Sequence, residues 1–148
     1  MTIQGQYVPS TRGWVRDQVA EYEASGGARA NTLRDTGIPI VVVTMRGARS
    51  GDVRKVPLMR VEHDGEYAFV ASDGGAPRHP AWYHNLLSHP EDVEVQDGAE
   101  PVAMTVSEVD GDEREAWWRR AVDVYPSYAE YQERTDRRIP VLVARPRT

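Results

Sequence analysis

Short apolar runs joined by tight turns constrain this chain more than any other feature. Asp64-Gly65 separates Val53 to His63 from Glu66 to Ala71, and Asp-Gly between alternating apolar residues is a strong hairpin signal, because both central residues can take positive φ. Asp97-Gly98 marks a second turn, between Val93 to Gln96 and Val102 to Val109. Pro39 to Met45, rich in β-branched residues, reads as a buried strand before them, and Ile139 to Ala144 as the last one. Strands that follow one another through tight turns pair antiparallel, whereas a parallel sheet needs a helix in each crossover. The expected class is therefore α+β, a mostly antiparallel sheet or barrel with flanking helices.

Four helices are expected around it. Thr11 to Ser25 carries Trp14, Val15, Val19 and Tyr22 near helical spacing and stops at Gly26-Gly27. A short helix opens at Pro80. A longer one runs from about Asp112 to Val124 behind a capping box formed by Asp110 and Glu113. Pro126 interrupts, and a last short helix carries Tyr128 and Tyr131. With 148 residues one domain is expected, residues 1–30 forming an arm and helix and 31–148 the body. Met1 to Ser10 reads as a loose arm, and the first helix as a packing element, a lid or an anchor.

Composition removes several functions. The chain has no cysteine, which excludes disulfides, thiolate metal sites and thiol redox chemistry. Any redox activity then belongs to a bound organic cofactor or a cysteine-free metal site. No basic start with an apolar run opens the chain, and the longest purely apolar run, Ile40 to Val43, is far too short to span a bilayer. A cytoplasmic protein is expected, any membrane contact being peripheral. A net charge of −5 argues against nucleic acid as partner. His79, His84 and His89 recur every five residues, so successive ones do not share a helix face, and no metal site is expected. There is neither a G-x-S-x-G elbow nor a G-x-G-x-x-G after a strand.

Three stretches carry chemistry. Phe69 to Pro90 reads strand, glycine loop, short helix, and a helix start behind Gly74-Gly75 attracts anions. Arg46 to Arg60 sets five basic residues, Arg46, Arg49, Arg54, Lys55 and Arg60, against the single Asp52. A basic island in an acidic chain calls for an acidic ligand or partner, and Arg offers a planar fork for phosphate and carboxylate. Tyr125, Tyr128 and Tyr131 are spaced three apart, so on one helix they lie roughly along one side. A phenol stays protonated at neutral pH and can orient an electrophilic oxygen or give it a proton. Tyr125, before Pro126, is expected to be partly core, and Tyr128, central and beyond the proline, to make the acceptor contact.

The runs GARSGDVRKVPLMR, ASDGGAPRHPAWYHNL and YPSYAEYQERTDRRIPV, in that order, resemble the deazaflavin-dependent nitroreductase family, reductases that use coenzyme F420 on a split β-barrel of the FMN-binding type. The resemblance covers about Ile38 to Pro146. It implies that the cofactor phosphate and polyglutamate tail lie along Arg49, Ser50, Arg54, Lys55 and Arg60. It implies that the deazaflavin ring and polyol lie against Pro57, Leu58, Met59, the loop Ala71, Ser72, Asp73, Gly74 and Gly75, and Trp82 and Asn85. The substrate-side tyrosines of the family match Tyr125, Tyr128 and Tyr131. Asp73 stands where many relatives carry a basic residue, which directs that loop's contacts to backbone. The helix Thr11 to Ser25 is less apolar than in the membrane-associated quinone reductases of the family.

The implied function is hydride transfer from the reduced deazaflavin to a small electrophilic acceptor, a quinone, an enone or a nitroaromatic. Two other readings share the basic hairpin: an FMN-binding split-barrel oxidoreductase and a non-catalytic deazaflavin carrier. The tyrosine trio favours an enzyme, since a carrier needs no polar aromatic wall. No oligomeric state is implied.

Overall fold

The computed structural model describes residues 3–147. The elements are α1 (Gly13–Ala24), β1 (Ile40–Arg46), β2 (Val53–Met59), β3 (Glu62–His63), β4 (Glu66–Val70), α2 (Ala81–Ser88), β5 (Val93–Gln96), β6 (Pro101–Glu108), α3 (Gly111–Val124), α4 (Ser127–Arg134) and β7 (Val141–Pro146). A 3-10 turn at Asp73–Gly75 precedes α2. The strands form one curled antiparallel sheet in the order β2-β1-β5-β6-β7-β4-β3. The expected α+β half-barrel with flanking helices is what forms. Asp64 and Gly65 both take positive φ, 53° and 79°, and close the β3–β4 hairpin. Asp97-Gly98 instead opens a four-residue connection between β5 and β6.

The buried strands read as continuous apolar runs because both faces of the sheet are covered. Val41, Val43 and Met45 of β1 point inward with Phe69, Leu142 and Met104, and Leu86 of α2 plugs that interior. Alternate residues point the other way. Val141 and Val143 of β7 and Ala68 and Val70 of β4 meet Trp117 and Ala121 of α3 and Tyr128 of α4. Ile40 and Val42 of β1 meet Val19 and Tyr22 of α1. The Tyr22 hydroxyl donates to the Gln96 carbonyl at 3.2 Å and accepts from the Gly98 amide at 2.8 Å, so α1 is pinned to the β5–β6 turn.

Two expectations change. The arm is not loose over its described part: Tyr7 pairs in parallel with Val53, so it extends the sheet edge. Met1 and Thr2 lie outside the described residues. The capping box is not made either. Asp110 takes an extended conformation before α3 but makes no side-chain bond to the helix amides, since Gly111 at φ 56° starts the helix with a turn of its own.

β2 ends the sheet, and this positions the site. Its outer edge carries no partner strand apart from the arm at Val53. Pro57 is tolerated there because an edge strand need not offer every N–H. Side chains alternate along β2. Val56 and Leu58 pack toward the interior beneath α2, while Lys55 turns toward α1, where its Nζ donates to Glu23.

Candidate active site

Three adjoining hollows form a trough along the β2 edge. The first, of about 530 Å³, lies over the β1–β2 turn and is lined by Gly47 to Ser50, Arg54, and Ala81, His84 and Asn85 of α2. The second, of about 420 Å³, shares Arg54, Ala81 and Asn85 and runs between α1 and α2, floored by Val56, Pro57 and Leu58 with Trp82 and Asp73 beside it. The third, of about 240 Å³, shares Pro57, Leu58, Asp73 and Trp82 and ends at Tyr125, Tyr128 and Tyr131. A ligand laid in this trough would meet cations at one end, apolar walls in the middle and phenols at the other.

The cationic end is smaller than the charge run promises. Arg46 pairs with Asp92 at 2.9 Å, Lys55 pairs with Glu23, and Arg60 pairs with Asp97 at 2.8 Å. Arg49 and Arg54 make no ion pair with a described residue and line the first hollow. The start of α2 lies in the same hollow through Ala81, and a helix N-terminus adds partial positive charge. The β1–β2 turn is held open by its own bonds. Ser50 Oγ accepts from the Asp52 amide at 3.1 Å, and Asn85 Oδ1 accepts from the Ala48 amide at 2.9 Å. Asn85 and Ser50 thus shape the cradle that the arginines occupy.

Arg60 is placed away from the trough. Its guanidinium sits with Asp97 and Tyr67 over a separate hollow beside Tyr22 and Gly98. β2 bends at Arg60, where the chain crosses from pairing with β1 to pairing with β4, so the side chain leaves the groove wall. Lys55 lines the groove but is already neutralised by Glu23, with the Tyr7 ring 5.1 Å from its Nζ.

The glycine loop also works differently from expectation. Asp73 and Gly74 adopt left-handed φ, 45° and 66°, and both line the tyrosine end. Gly75 does not open space for a ring. It abuts the backbone of Tyr131, where a Cβ would stand 2.9 Å from the carbonyl oxygen. Ala71 is fully buried, and Ser72 offers its carbonyl to Arg137 at 2.7 Å.

The tyrosines reverse their expected order. Tyr128 is 6% exposed, and its hydroxyl donates to Met59 Sδ at 3.5 Å. Burial, then the neighbouring phenols of Tyr125 and Tyr131, push its pKa up. Tyr125 is half-buried, and its hydroxyl lies 2.8 Å from that of Tyr131. The bond to Tyr125, then burial, raises the Tyr131 pKa, so that phenol is protonated near neutrality. Two hydroxyls that share one hydrogen bond retain one O–H to offer outward.

Sequence reasoning missed the wall opposite α2. Ser10, Arg12, Trp14 and Val15 of the arm and α1, with Leu33 of the connector, line the groove. Trp14 was grouped with the packing face of α1, yet it stays 37% exposed with the Arg34 guanidinium 4.6 Å above its ring. Its place at the first turn, outside the buried trio Val15, Val19 and Tyr22, is the signal that could have found it. Arg137 was also missed. Among the described residues no three His, Asp or Glu side chains converge as a metal site. No helix of the described residues is long and apolar enough to cross a membrane.

Comparison with known proteins follows the same lines. The profile of the family described as F420H(2)-dependent quinone reductase matches residues 14–146. An F420H(2)-dependent quinone reductase of Mycobacterium tuberculosis is 36% identical over 108 residues, 71% of this chain and 72% of that one. A solved F420-H2 dependent reductase is 55% identical, covering 72% of this chain and 94% of its own, with a TM-score of 0.68. A second solved structure, described as a domain-swapped dimer, is 48% identical over 92% of this chain and all of its own, with a TM-score of 0.70. The profile spans both walls of the trough and the tyrosine end, and the chain belongs to the F420H(2)-dependent quinone reductase family, oxidoreductases whose hydride donor is reduced coenzyme F420.

Proposed function

We propose that the trough holds coenzyme F420 lengthwise, its anionic tail at Arg49 and Arg54, its deazaflavin ring between Leu58 and Trp82, and a quinone-type acceptor beside the Tyr125–Tyr131 pair. One observation carries the reading: a continuous trough with guanidiniums that pair with no described residue at one end and paired phenols at the other. The residues present fit the group. A phosphate with carboxylates asks for planar N–H forks, and Arg49 and Arg54, which pair with no described residue, supply them. A flat ring asks for apolar walls, supplied by Pro57, Leu58 and Trp82.

When bound, the reduced deazaflavin supplies a hydride. The protein's residues position and protonate. Trp82 and the Asp73-Gly74 turn close the ring end from water, and the Tyr125–Tyr131 pair presents a phenolic O–H to the acceptor oxygen that gains charge. Tyr128, beneath them, keeps the pair in place through ring contacts at 5.1 Å and 6.4 Å between centroids. The apolar face of α1, Val15, Val19 and Tyr22, is buried in the molecule and so is not free to enter a bilayer.

The test is quenching of deazaflavin or flavin fluorescence on titration with F420 carrying several glutamates, F420 lacking them, and FMN, followed by quinone reduction. Tighter binding of the polyglutamate form at low salt, with the gap closing as salt screens the arginines, supports the reading. Equal affinity for both forms, or preference for FMN, removes it.

A further inference from the structure

Arg137 stands beside the trough, in the segment between α4 and β7, and directs its whole guanidinium at one loop. Nε donates to the Ala76 carbonyl at 2.7 Å and Nη2 to the Ser72 carbonyl at 2.7 Å. Nη1 donates to the Ala71 carbonyl at 3.1 Å and to His79 Nδ1 at 2.8 Å. These four points span the segment from the end of β4 to the residue before Pro80. The same segment supplies Asp73 and Gly74 to the trough wall and touches Tyr131 through Gly75.

We propose that Arg137 is a positioning residue for the reaction: with neutral His79 it clamps residues 71–79 and thereby sets the spacing between the Asp73-Gly74 wall and the Tyr125–Tyr131 pair. The inference rests on the reading of the trough given above.

The chemistry of the clamp is specific. A guanidinium has five N–H donors and no acceptor, so His79 Nδ1 must bring a lone pair and carry its proton on Nε2. A protonated His79 would set a second cation and an N–H against Arg137. Tyr83 and His84 of α2 also face His79, with ring centroids at 4.5 Å and 6.0 Å, and Glu108 at the end of β6 lies beyond Tyr83. The Tyr83 phenol is pushed up to about 12, by burial first and then by its bond to Glu108, so it stays neutral. Burial, then the charges of Arg137 and His84, hold His79 below the usual histidine range, with Glu108 opposing. Asp73 is the carboxylate that acts on Arg137. The clamp is therefore intact at neutral pH and opens as pH falls and His79 takes up a proton. Lys at position 137 carries the charge but lacks the planar fork that reaches four acceptors.

Two variants test this, each compared with wild type. Arg137→Lys should lower turnover of menadione by about 10- to 100-fold, since a small misplacement of reacting groups costs that much. Its F420 dissociation constant, governed by the far end of the trough, should stay within about threefold. Without cofactor, amide exchange of residues 71–79 should quicken by about 10-fold while that of β1 and β6 does not. His79→Asn places Oδ1 where Nδ1 stands and cannot take up a proton. The ratio of its turnover to that of wild type should rise, by up to about 10-fold, as pH is lowered below the usual histidine range; using the ratio cancels any titration of cofactor or acceptor. Arg137→Lys turning over like wild type, unchanged exchange in 71–79, or His79→Asn following the wild-type acid limb would each overturn the proposal. Arg54→Ala in the same F420 titration separates the two ideas. If it binds as wild type does, the trough reading fails; if it weakens binding while Arg137→Lys keeps full turnover, the clamp alone fails.

Discussion

Gly75 lies against the backbone of Tyr131, 2.9 Å from its carbonyl oxygen and 3.2 Å from its Cα when a Cβ is placed on the glycine. The loop that walls the trough and the helix that carries the phenols are thus in direct backbone contact, and neither can shift without the other. Gly75 also holds φ at 81°, where any side chain is strained.

Gly75→Ala should therefore act on two levels. Left-handed φ costs an alanine about 1 kcal/mol or more, and the clash with backbone cannot be relieved by a side-chain rotation. A stability loss of about 1–3 kcal/mol is expected by thermal or urea unfolding. Below the melting range, quinone turnover should fall more than F420 affinity does. Gly74→Ala, which meets nothing within 4 Å, gives the comparison in which only backbone strain acts. Equal losses for the two would show that the contact with Tyr131 has no part.

Arg54 and Lys55 should separate cleanly. Arg54→Ala removes a cation with no described partner and should weaken F420 binding by about 1–3 kcal/mol, with little change in apo melting temperature. Lys55→Ala breaks the half-buried pair with Glu23 and should cost stability, at most about 1 kcal/mol, with a smaller effect on binding. Arg60→Ala should leave F420 affinity at the wild-type value, because its charge is held by Asp97 across the barrel. Titration and melting curves on the three proteins check this, and a larger affinity loss at Lys55 than at Arg54 would reverse the assignment.

For the tyrosines, the structure predicts that Tyr131→Phe and Tyr125→Phe each lower quinone turnover by about 10- to 10³-fold. Each removes one member of the hydroxyl pair. Tyr128→Phe should stay within a few-fold of wild type, because its hydroxyl faces Met59 Sδ and not the acceptor end. The cost of Tyr128→Phe should appear, if anywhere, as a small change in stability. Steady-state kinetics of the three variants on one quinone decides the order.

Trp14 gives a test of the wall from α1. Trp14→Ala should weaken F420 binding by about 3- to 30-fold while the melting temperature moves little, since the ring is largely outside the α1 packing face. Isothermal titration and a melting curve on the same preparation are sufficient, and unchanged affinity would limit the groove to the β2 and α2 walls.

Local chemistry was readable from the chain itself. Asp64-Gly65 closes its hairpin because those two residues accept positive φ cheaply, a property of the residues and not of their surroundings. The β-branched run at Ile40 to Val43, the stop at Gly26-Gly27 and the break at Pro126 are of the same kind. The barrel class followed, since antiparallel pairing needs only short turns, and the three motifs carried the cofactor with it.

What the tertiary structure decided is which charged and polar groups remain unpartnered. Arg46, Arg49, Arg54, Lys55 and Arg60 are equivalent as letters in a basic run. Only folding brings Asp92, Glu23 and Asp97, each more than thirty positions from its partner, to Arg46, Lys55 and Arg60 and leaves Arg49 and Arg54 without an ion pair among the described residues. The same holds at Tyr125, Tyr128 and Tyr131. Spacing put them near one side of a helix, but the packing of α4 on β7 and the bend at Pro126 chose which hydroxyl goes into the core and which two meet. Arg137 shows the limit most plainly. Its carbonyl partners at Ala71, Ser72 and Ala76 lie some sixty residues away and have no side-chain signature. Backbone acceptors are the same at every position of a chain, so a residue that binds them is visible only once the chain has brought them together.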